Sequence, residues 1–267
     1  MSTDAPALSF DAIAAAYDRS RPDYPTAIFD KILAYAQCQQ ASAEILEIGT
    51  GTGKATRPFA VFGHRMHCLE PGPKLVEFAR RQVADLGNVT VEQISFEEWE
   101  PGRRQFDIAF SAQAFHWLDP ARRLDKLAKV IRTGGVLAVF GHSSTLAPSQ
   151  LAAAVQTAYA AHAPAIAQRD NARHWYTSRE SPVWRELNEH PLFGDLEFHV
   201  VDWARELSSE AYRELVATYS DHATLPTEQR RRLLDAIALA IRQNGGVVRV
   251  EYTTGLFLAR AHGQEGI

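Results

Sequence analysis

A strand-like run that ends in three alternating glycines constrains this chain more than any other stretch. Residues 44–48 read Glu-Ile-Leu-Glu-Ile, glycines occupy positions 49, 51 and 53, and a helix-compatible segment follows. This order predicts a strand, a tight loop and the start of a helix. Glycine allows a sharp turn and the close approach of a ligand, and the first N–H groups of a helix can donate to a polar or anionic group. The stretch therefore predicts a nucleotide-binding loop.

Two common nucleotide-binding loops do not fit this spacing. A P-loop requires a glycine five residues before Gly53 and Ser or Thr after the lysine, but Ile48 and Ala55 occupy those positions. A GxGxxG dinucleotide loop requires Gly or Ala three residues after Gly53, where Thr56 stands. The remaining pattern is acidic-x-Gly-x-Gly-x-Gly, with Glu47 as the acidic residue inside the strand.

The chain also alternates strands and helices from the glycine loop onward. The predicted strands are 44–48, 65–69, 89–93, 106–113 and 136–140. Such alternation predicts an α/β fold with a parallel sheet and right-handed crossovers. Ligands bind at the carboxyl ends of such strands, near the point where strand order reverses. The glycine loop, Glu70, Ser95, residues 111–117 and His142 all fall at this edge, so they predict one cleft.

Glu70 ends the second predicted strand, seventeen residues after Gly53. An acidic residue at this position accepts hydrogen bonds from ribose hydroxyls. Its carboxylate favours a ribose with a free 2′-OH, a feature that NAD enzymes share. Glu70 therefore predicts an adenosine ligand and leaves the kind of cofactor open.

Composition narrows the class of partner. At 267 residues the chain suits one α/β domain with an insertion, and a net charge of −4 predicts no nucleic-acid partner. The two cysteines, Cys38 and Cys68, form no disulfide framework, and the nearby His64 and His67 lack a second cluster, so no metal is expected. Neither a signal peptide nor a membrane-length apolar run is evident. We therefore expect a cytoplasmic protein with no membrane partner.

The two ends of the chain are expected to flank this sheet. A helix from Ser9 to Ser20 and a second from Thr26 are separated by a proline-rich extended corner. After the fifth strand, residues 149–190 predict a helical insertion over the active edge. Its aromatic residues, including Trp175 and Tyr176, either line an acceptor pocket or form a small core of their own. The sixth strand is expected at 196–203. The last strand is expected at 247–251 and 255–259, bent or split at Thr253-Thr254. It is expected to be antiparallel because it follows a turn at Gly245-Gly246 instead of a full crossover.

Four segments together resemble one enzyme family. They are Tyr17…Arg21-Pro22-Asp23-Tyr24-Pro25, Glu47-x-Gly49-x-Gly51-x-Gly53, Glu70, and Gln113-Ala114-Phe115-His116-Trp117-Leu118-Asp119-Pro120. The combination resembles class I S-adenosylmethionine-dependent methyltransferases of the type-11, trans-aconitate-methyltransferase-like group. The resemblance implies a seven-stranded Rossmann-like sheet of order 3-2-1-4-5-7-6 and methyl transfer to a small molecule. It fixes neither the acceptor nor whether the protein is a monomer or a homodimer.

The resemblance also implies how one domain is divided. It places an N-terminal helical cap at 1–40, a cofactor-binding half at 41–142, a helical lid at 145–192 and C-terminal strands and helices at 193–267. S-adenosylmethionine is then the expected cofactor. The cofactor contacts it implies are Tyr17, Arg21, Glu47, Gly49, Thr50, Gly51, Gly53, Glu70, Pro71, Ser95, Phe96, Ser111 and Gln113. The expected acceptor contacts are Phe115, His116, Trp117, Trp175 and Tyr176.

Methyl transfer requires the nucleophile in line behind the methyl carbon at roughly 3–3.5 Å, so positioning can supply much of the catalysis. His116 and His142 are candidate general bases, because an imidazole pKa near 6.5 suits proton removal. Each is alternatively a structural histidine, and Phe96 is alternatively a core residue. Two other classes stay open at this point: an NAD-dependent oxidoreductase and a non-catalytic S-adenosylmethionine-binding protein.

Overall fold

The computed structural model describes residues 14–38, 42–168 and 175–262. Seven strands form one sheet: β1 Glu44–Ile48, β2 Arg65–Glu70, β3 Val89–Gln93, β4 Phe106–Ala112, β5 Ile131–Leu146, β6 Phe193–Ser208 and β7 Val247–Ala261. Their order is β3-β2-β1-β4-β5-β7-β6. The strands β1 to β5 pair in parallel, whereas β7 runs antiparallel to both β5 and β6. The predicted fold class, strand order and direction of the last strand are confirmed.

Helices cover both faces of this sheet. They are α1 Ala14–Ser20, α2 Thr26–Tyr35, α3 Thr56–Ala60, α4 Pro73–Gln82, α5 Arg123–Val130, α6 Gln150–His162, α7 Pro164–Ala167, α8 Pro182–Glu189, α9 Ser209–Ala217, α10 Ser220–Ala223 and α11 Thr227–Gln243. A 3-10 turn spans Phe115–Trp117. The predicted start of the first helix at Ser9 lies outside the described residues. Of the helices in the described ranges, none has the length and apolar character that crossing a bilayer requires.

Side chains of the central strands are buried on both faces, as a helix-covered parallel sheet requires. In β1, Ile45 packs with Ile28 and Phe59 on the face that carries α2 and α3. Its neighbour Leu46 packs with Phe115 on the other face. Because both faces are closed by helices, polar ligands can reach the sheet only along its edges and strand ends.

The C-terminal end of β5 and the N-terminal half of β7 extend beyond the parallel part of the sheet. The Thr253-Thr254 bend expected in the last strand is wrong, because Thr253 pairs with Ser143 and Thr254 with His142 in an unbroken ladder. Since β5 runs to Leu146, the lid boundary expected at 145 falls inside this strand. The long antiparallel ladder satisfies backbone groups that a bend would leave unpaired.

The insertion does not lie over the active edge as a whole. The residues Val155 and Ala158 of α6 join a separate core with Leu234 and Ile237 of α11. Alanine on one helix allows a neighbouring helix to approach closely. This explains why the alanine-rich helix α6 packs against α11. The order Asp119-Pro120 is typical of a helix start, but α5 begins only at Arg123. The Asp119 carboxylate instead accepts from the N–H of Ala121 at 3.0 Å.

Candidate functional site

The glycine loop joins β1 to α3 in a left-handed conformation. The φ angles of Gly49, Gly51 and Gly53 are +74°, +58° and +89°, values that residues with a Cβ rarely adopt. Both Gly49 and the next residue donate to the carbonyl of Leu69, at 2.9 and 3.2 Å. A Cβ on Gly49 would lie 2.3 Å from that of Ala114, whereas a Cβ on Gly51 would meet nothing within 4 Å. Gly49 is therefore needed for packing, and Gly51 borders open space.

That open space is a cleft between the loop, the N-terminal helices and the end of β4. Its empty volume is about 390 Å³, part of it open to solvent. The structure brings together seven of the predicted cofactor contacts along it: Tyr17, Arg21, Glu47, Gly49, Thr50, Gly51 and Gln113. The lining is completed by Pro22, Tyr24, Thr52, Lys54, Ala55 and Ala112.

Glu47 forms part of the floor of the cleft and is almost fully buried. The hydroxyl of Thr56 donates to its Oε2 atom. Within the described residues its Oε1 atom has no hydrogen-bond partner, nor do the buried hydroxyls of Thr50 and Thr52. Burial raises the pKa of Glu47 to about 7, an effect that the hydrogen bond from Thr56 opposes. Three buried acceptor oxygens beside one cleft suit a ligand with hydrogen-bond donors.

Glu70 ends β2 and is also buried. Its Oε2 accepts from the N–H of Gly51 at 2.8 Å, and its Oε1 accepts from the N–H of Gly72 at 3.0 Å. The carboxylate therefore links the end of β2 to the middle of the glycine loop. Neither Glu70 nor Pro71 is among the residues that line the cleft, so their predicted cofactor contacts stay predictions.

Arg21 closes one side of the cleft from the N-terminal segment. Its Nε donates to the Thr218 hydroxyl at 2.9 Å and its Nη2 to the Thr218 carbonyl at 3.0 Å. The guanidinium also lies over the rings of Tyr17 and Tyr219, 5.1 and 4.6 Å from their centroids. Because Thr218 is the first residue after α9, these bonds fix the cap against the C-terminal helices.

A second contact joins the cap to the glycine loop. The Nζ of Lys54 lies 2.9 Å from Oδ1 of Asp23 and 3.8 Å from Oδ1 of Asp18. Two carboxylates therefore compensate this loop lysine, which agrees with the absence of a P-loop pattern in the sequence.

Gln113 follows β4 and has a φ angle of +54°, which is uncommon for a residue with a side chain. Its N–H donates to the carbonyl of Phe140 at 2.8 Å. Its side-chain amide donates to the carbonyl of His142 at 3.1 Å and accepts from the Tyr24 hydroxyl at 3.4 Å. These bonds hold the amide in the cleft wall, between the cap and β5.

The predicted acceptor residues form an aromatic group beside the cleft. The Nδ1 of His116 lies 2.8 Å from the Tyr176 hydroxyl. The His116 ring lies 4.6 Å from the ring of Trp117 and 6.1 Å from that of Trp175. The structure thus brings these four side chains together, although none of them lines the cleft itself. Their contact with an acceptor stays a prediction.

Two strand glycines explain how the segment at Tyr176 reaches this position. A Cβ on Gly255 would lie 1.6 Å from the carbonyl oxygen of Tyr176, and one on Gly141 would lie 2.7 Å from its ring. Only glycine leaves room for this approach. A glycine inside a strand often marks the close approach of another segment. Gly141 and Gly255 are therefore the sequence features that could have predicted the contact with the Tyr176 segment.

Two of the expected cofactor contacts, Ser95 and Phe96, are packed against protein neighbours. Phe96 is buried, stacks on Trp99 at 6.4 Å and has the Lys126 ammonium 5.1 Å from its ring centroid. The Ser95 hydroxyl donates to Glu98 at 2.8 Å. Neither residue lines the cleft. The geometry therefore gives no support to a cofactor contact at Phe96, and the alternative of a core phenylalanine fits its position.

Two further predicted site residues belong to the core. Ser111 is fully buried and donates to the carbonyl of Ile48 at 3.0 Å. Phe115 is also fully buried. Each therefore shapes the cleft by holding strands or loops in place, and their predicted ligand contacts have no geometric support.

Sequence reasoning missed the ion pair that supports the His116 turn. Arg123 is 3% exposed and pairs with Glu186 of α8. Its Nη1 donates to the carbonyls of Phe115 and Leu118 at 2.9 and 3.3 Å. The only hint in the sequence is an arginine directly before the apolar face of a helix. The ion pair could not be predicted from it, because the partner lies 63 residues further along the chain.

His142 lies on β5, and its carbonyl accepts from the side-chain amide of Gln113. Its ring is 5.1 Å from the ring of Tyr24, 5.6 Å from Tyr252 and 5.9 Å from Trp203. Burial lowers the pKa of His142 to about 3, and the charge of Arg21 lowers it further in the same direction. His142 is therefore neutral near pH 7 and is a weak proton acceptor, so its predicted role as a base gains no support.

The sheet order, the left-handed glycine loop after β1 and the buried acid in β1 together define a class I methyltransferase. The comparisons with known proteins agree. A family model described as a methyltransferase domain matches residues 45–135. An uncharacterized methyltransferase of Mycobacterium tuberculosis is 29% identical over 234 residues, which cover 86% of this chain and 84% of the relative.

A methyltransferase-like protein of Schizosaccharomyces pombe is 25% identical over 93% of this chain and 94% of its own length. The structure of a proposed type II methyltransferase from Anaeromyxobacter dehalogenans superposes with a TM-score of 0.66 at 26% identity, covering 91% of this chain and 99% of that one. The chain is therefore a class I S-adenosylmethionine-dependent methyltransferase, and S-adenosylmethionine is its cofactor. The alternatives of an NAD-dependent oxidoreductase and a non-catalytic protein are set aside. The narrower type-11 group stays a prediction.

Proposed function

We propose that this enzyme transfers a methyl group from S-adenosylmethionine to a small-molecule acceptor bound beside the glycine loop. The observation that carries the proposal is the set of partnerless oxygens of Glu47, Thr50 and Thr52 at the floor of the cleft. The net charge of −4 weighs against a nucleic-acid acceptor.

The residues of the cleft fit the chemical groups of this cofactor. Its amino group is a donor that Glu47 and the two threonine hydroxyls can accept, and pairing with an ammonium favours the ionised form of Glu47. Gly51 has no Cβ to obstruct a ligand over the loop. The carboxylate of Glu70 can exchange its bond to Gly51 for ribose hydroxyls. In this proposal Tyr17, Arg21 and Gln113 enclose the methionine end.

When bound, S-adenosylmethionine supplies a methyl group activated by a sulfonium, and it leaves as S-adenosylhomocysteine. The protein's own task is to exclude water and to hold the acceptor nucleophile in line with that methyl group. The arrangement around the cleft supports this task, because Lys54 joins the cap to the glycine loop and Arg21 joins it to Thr218 after α9. His116 stays our proposed base for acceptors that lose a proton.

The acceptor atom is proposed to be a carboxylate, hydroxyl, amine or acidic carbon. One relative favours oxygen: a protein of Ilyobacter polytropus named malonyl-[acyl-carrier protein] O-methyltransferase 1 is 28% identical over 122 residues, 43% of this chain. We also infer a cytoplasmic location, because Cys38 and Cys68 are both free thiols and a reducing compartment keeps thiols in that state. The protein is proposed to be a monomer or a homodimer.

Calorimetry with S-adenosylmethionine and with NADH tests the cofactor, and a library of small acceptors with radiolabelled methyl donor tests the reaction. We expect saturable binding of S-adenosylmethionine alone and labelled product from at least one small molecule. The Glu47→Gln variant should weaken cofactor binding at least tenfold. Its matched control is Glu44→Gln on the same strand, where Glu44 pairs with Arg65 away from the cleft. Equal affinities for the two variants would contradict the proposal.

The base assignment needs a separate test. If His116 removes a proton, His116→Ala should lower turnover of the true acceptor by at least 100-fold while cofactor affinity is retained. The control is His199→Gln, because His199 contacts Glu197 on the edge strand β6. Turnover of the His116 variant within a few-fold of wild type would rule out the base.

A further inference from the structure

A polar and aromatic surface continues from the cofactor cleft along one face of β5, β7 and β6. His142 pairs with Thr254, Ser144 pairs with Tyr252, and Tyr252 pairs with Trp203 on the other side. Directly opposite residues in antiparallel strands share a face, and so do residues two apart on one strand. The five side chains therefore lie on the same face of the sheet.

Two atoms on this face are buried and have no partner. Within the described residues, neither Nδ1 of His142 nor the hydroxyl of Tyr252 makes a hydrogen bond. Tyr252 is only 3% exposed, and its ring stacks on Trp203 at 4.4 Å. Trp203, in contrast, donates its N–H to the hydroxyl of Thr254 at 2.8 Å. A buried polar group without a partner costs about 1–3 kcal/mol, so two side by side are expected to serve a ligand.

Tyr219 and Arg21 form a cover beside this face, and Arg21 also lines the cofactor cleft. Arg21 lies over the ring of Tyr219, whose hydroxyl is 3.4 Å from that of Ser144. Burial is the main cause of the shifted pKa of each group, lowering that of His142 and raising that of Tyr252, and the positive charge of Arg21 acts to lower both. The electrostatic environment of the two partnerless atoms is therefore positive.

The surface adjoins the cleft through Tyr24. The ring of Tyr24 lies 5.1 Å from that of His142, and its hydroxyl contacts Gln113 in the cleft wall. In sheet order, the glycine loop follows β1, Gln113 follows β4, and His142 and Tyr252 lie on β5 and β7. A molecule next to the cofactor on the β5 side would therefore meet these two side chains.

We propose that His142 and Tyr252 form an anchoring subsite for an anionic oxygen group of the methyl acceptor. This inference rests on the proposed function and deepens it, because it names the acceptor class as organic anions. Burial keeps the Tyr252 hydroxyl protonated by raising its pKa, so it is a donor. Neutral His142 can donate from Nδ1 in one of its tautomers. The nearby Arg21 favours an anion and disfavours an ammonium group.

Entry to this subsite requires the cover to move. Neither partnerless atom is accessible to solvent, and the same is true of the Glu47, Thr50 and Thr52 oxygens at the cofactor site. In this structure, therefore, the subsite atoms and the cofactor-site oxygens are both shielded from solvent. Opening the two bonds between Arg21 and Thr218 would release the cover from α9.

The test compares benzoate with neutral benzamide, titrated by calorimetry into the protein loaded with S-adenosylhomocysteine. We expect wild type to bind benzoate at least tenfold more tightly than benzamide. Tyr252→Phe and His142→Gln should each lose at least tenfold in benzoate affinity. The matched controls are Tyr35→Phe and His199→Gln. The Tyr35 hydroxyl donates to the carbonyl of Asp195, and His199 contacts Glu197, both away from this surface.

A second readout separates anchoring from a merely structural role. Tyr252→Phe removes a buried hydroxyl that has no partner, so it should raise the unfolding temperature while it weakens benzoate binding. Equal binding of benzoate and benzamide, no saturable benzoate binding to wild type, or unchanged affinity in both variants would each overturn the subsite. Failure of wild type to bind S-adenosylhomocysteine would instead count against the proposed function.

Discussion

The carboxylate of Glu70 accepts a hydrogen bond from the backbone N–H of Gly51, with 2.8 Å between Oε2 and nitrogen. The bond joins the end of β2 to the middle of the glycine loop. The residue that the sequence assigns to the cofactor's ribose therefore also holds the ligand-free loop in shape. Glu70 is thus expected to contribute both to stability and to cofactor affinity, and substitutions can separate the two.

Glu70→Ala removes the acceptor for two backbone N–H groups, those of Gly51 and Gly72. It should lower the free energy of unfolding by about 2–3 kcal/mol, because bonds to a charged acceptor contribute about 1.5–3 kcal/mol each and water replaces part of them. Glu70→Gln keeps one acceptor oxygen and should lose less. Both should weaken S-adenosylmethionine binding about tenfold or more. Urea unfolding and calorimetry measure the two effects, and unchanged affinity in both variants would argue against the ribose contact.

Alanine substitutions at Gly49 and Gly51 should have different effects. A Cβ at Gly49 would lie 2.3 Å from that of Ala114, whereas a Cβ at Gly51 would meet no protein atom within 4 Å. Gly49→Ala should therefore lose about 3 kcal/mol or more from overpacking and a left-handed φ. Gly51→Ala should lose about 1–2 kcal/mol from the φ angle alone, yet lose most cofactor affinity because its methyl group enters the cleft. Unfolding curves and cofactor titrations on both variants check this difference; equal effects would contradict it.

Stability should depend on pH through Glu47. Burial raises the pKa of Glu47 from 4.5 to about 7 in the folded protein. Its contribution is therefore fully present below about pH 4.5 and is lost as pH rises through 7, by up to about 3 kcal/mol. The unfolding free energy of ligand-free wild type, measured relative to Glu47→Gln, should fall between pH 5 and pH 8. A difference that is flat or rises over this range would show that Glu47 is already ionised in the folded state.

Local patterns were enough to predict the sheet and the cofactor loop. The alternation of strands and helices predicts the parallel sheet, and the glycine spacing around Gly51 identifies the loop, because both depend on residues that are close in sequence. The bend predicted at Thr253-Thr254 was wrong because the residues that pair with these threonines are distant in the sequence. Two threonines resemble an interruption when read alone, but their partners on β5 complete the ladder.

Tertiary contacts decided the parts that the sequence could not predict. Phe96 and Phe115 follow strands, as site residues do, yet both are core residues whose neighbours come from other segments. The positive φ of Gln113 has no local glycine signal. The anchoring subsite combines His142 with Tyr252, which is 110 residues away in the sequence. Only the pairing of β5 with β7 places them together.

The pair of buried Arg123 and half-buried Glu186 yields the final prediction. Arg123 is 3% exposed and also donates to the carbonyls of Phe115 and Leu118, so Arg123→Met leaves several acceptors without a partner. It should lower the free energy of unfolding by about 3–5 kcal/mol and loosen the turn that carries His116. Arg123→Met combined with Glu186→Leu should recover part of this loss, because no unpaired charge then remains. Urea unfolding of the single and double variants measures the effect, and a double variant no more stable than Arg123→Met would contradict it.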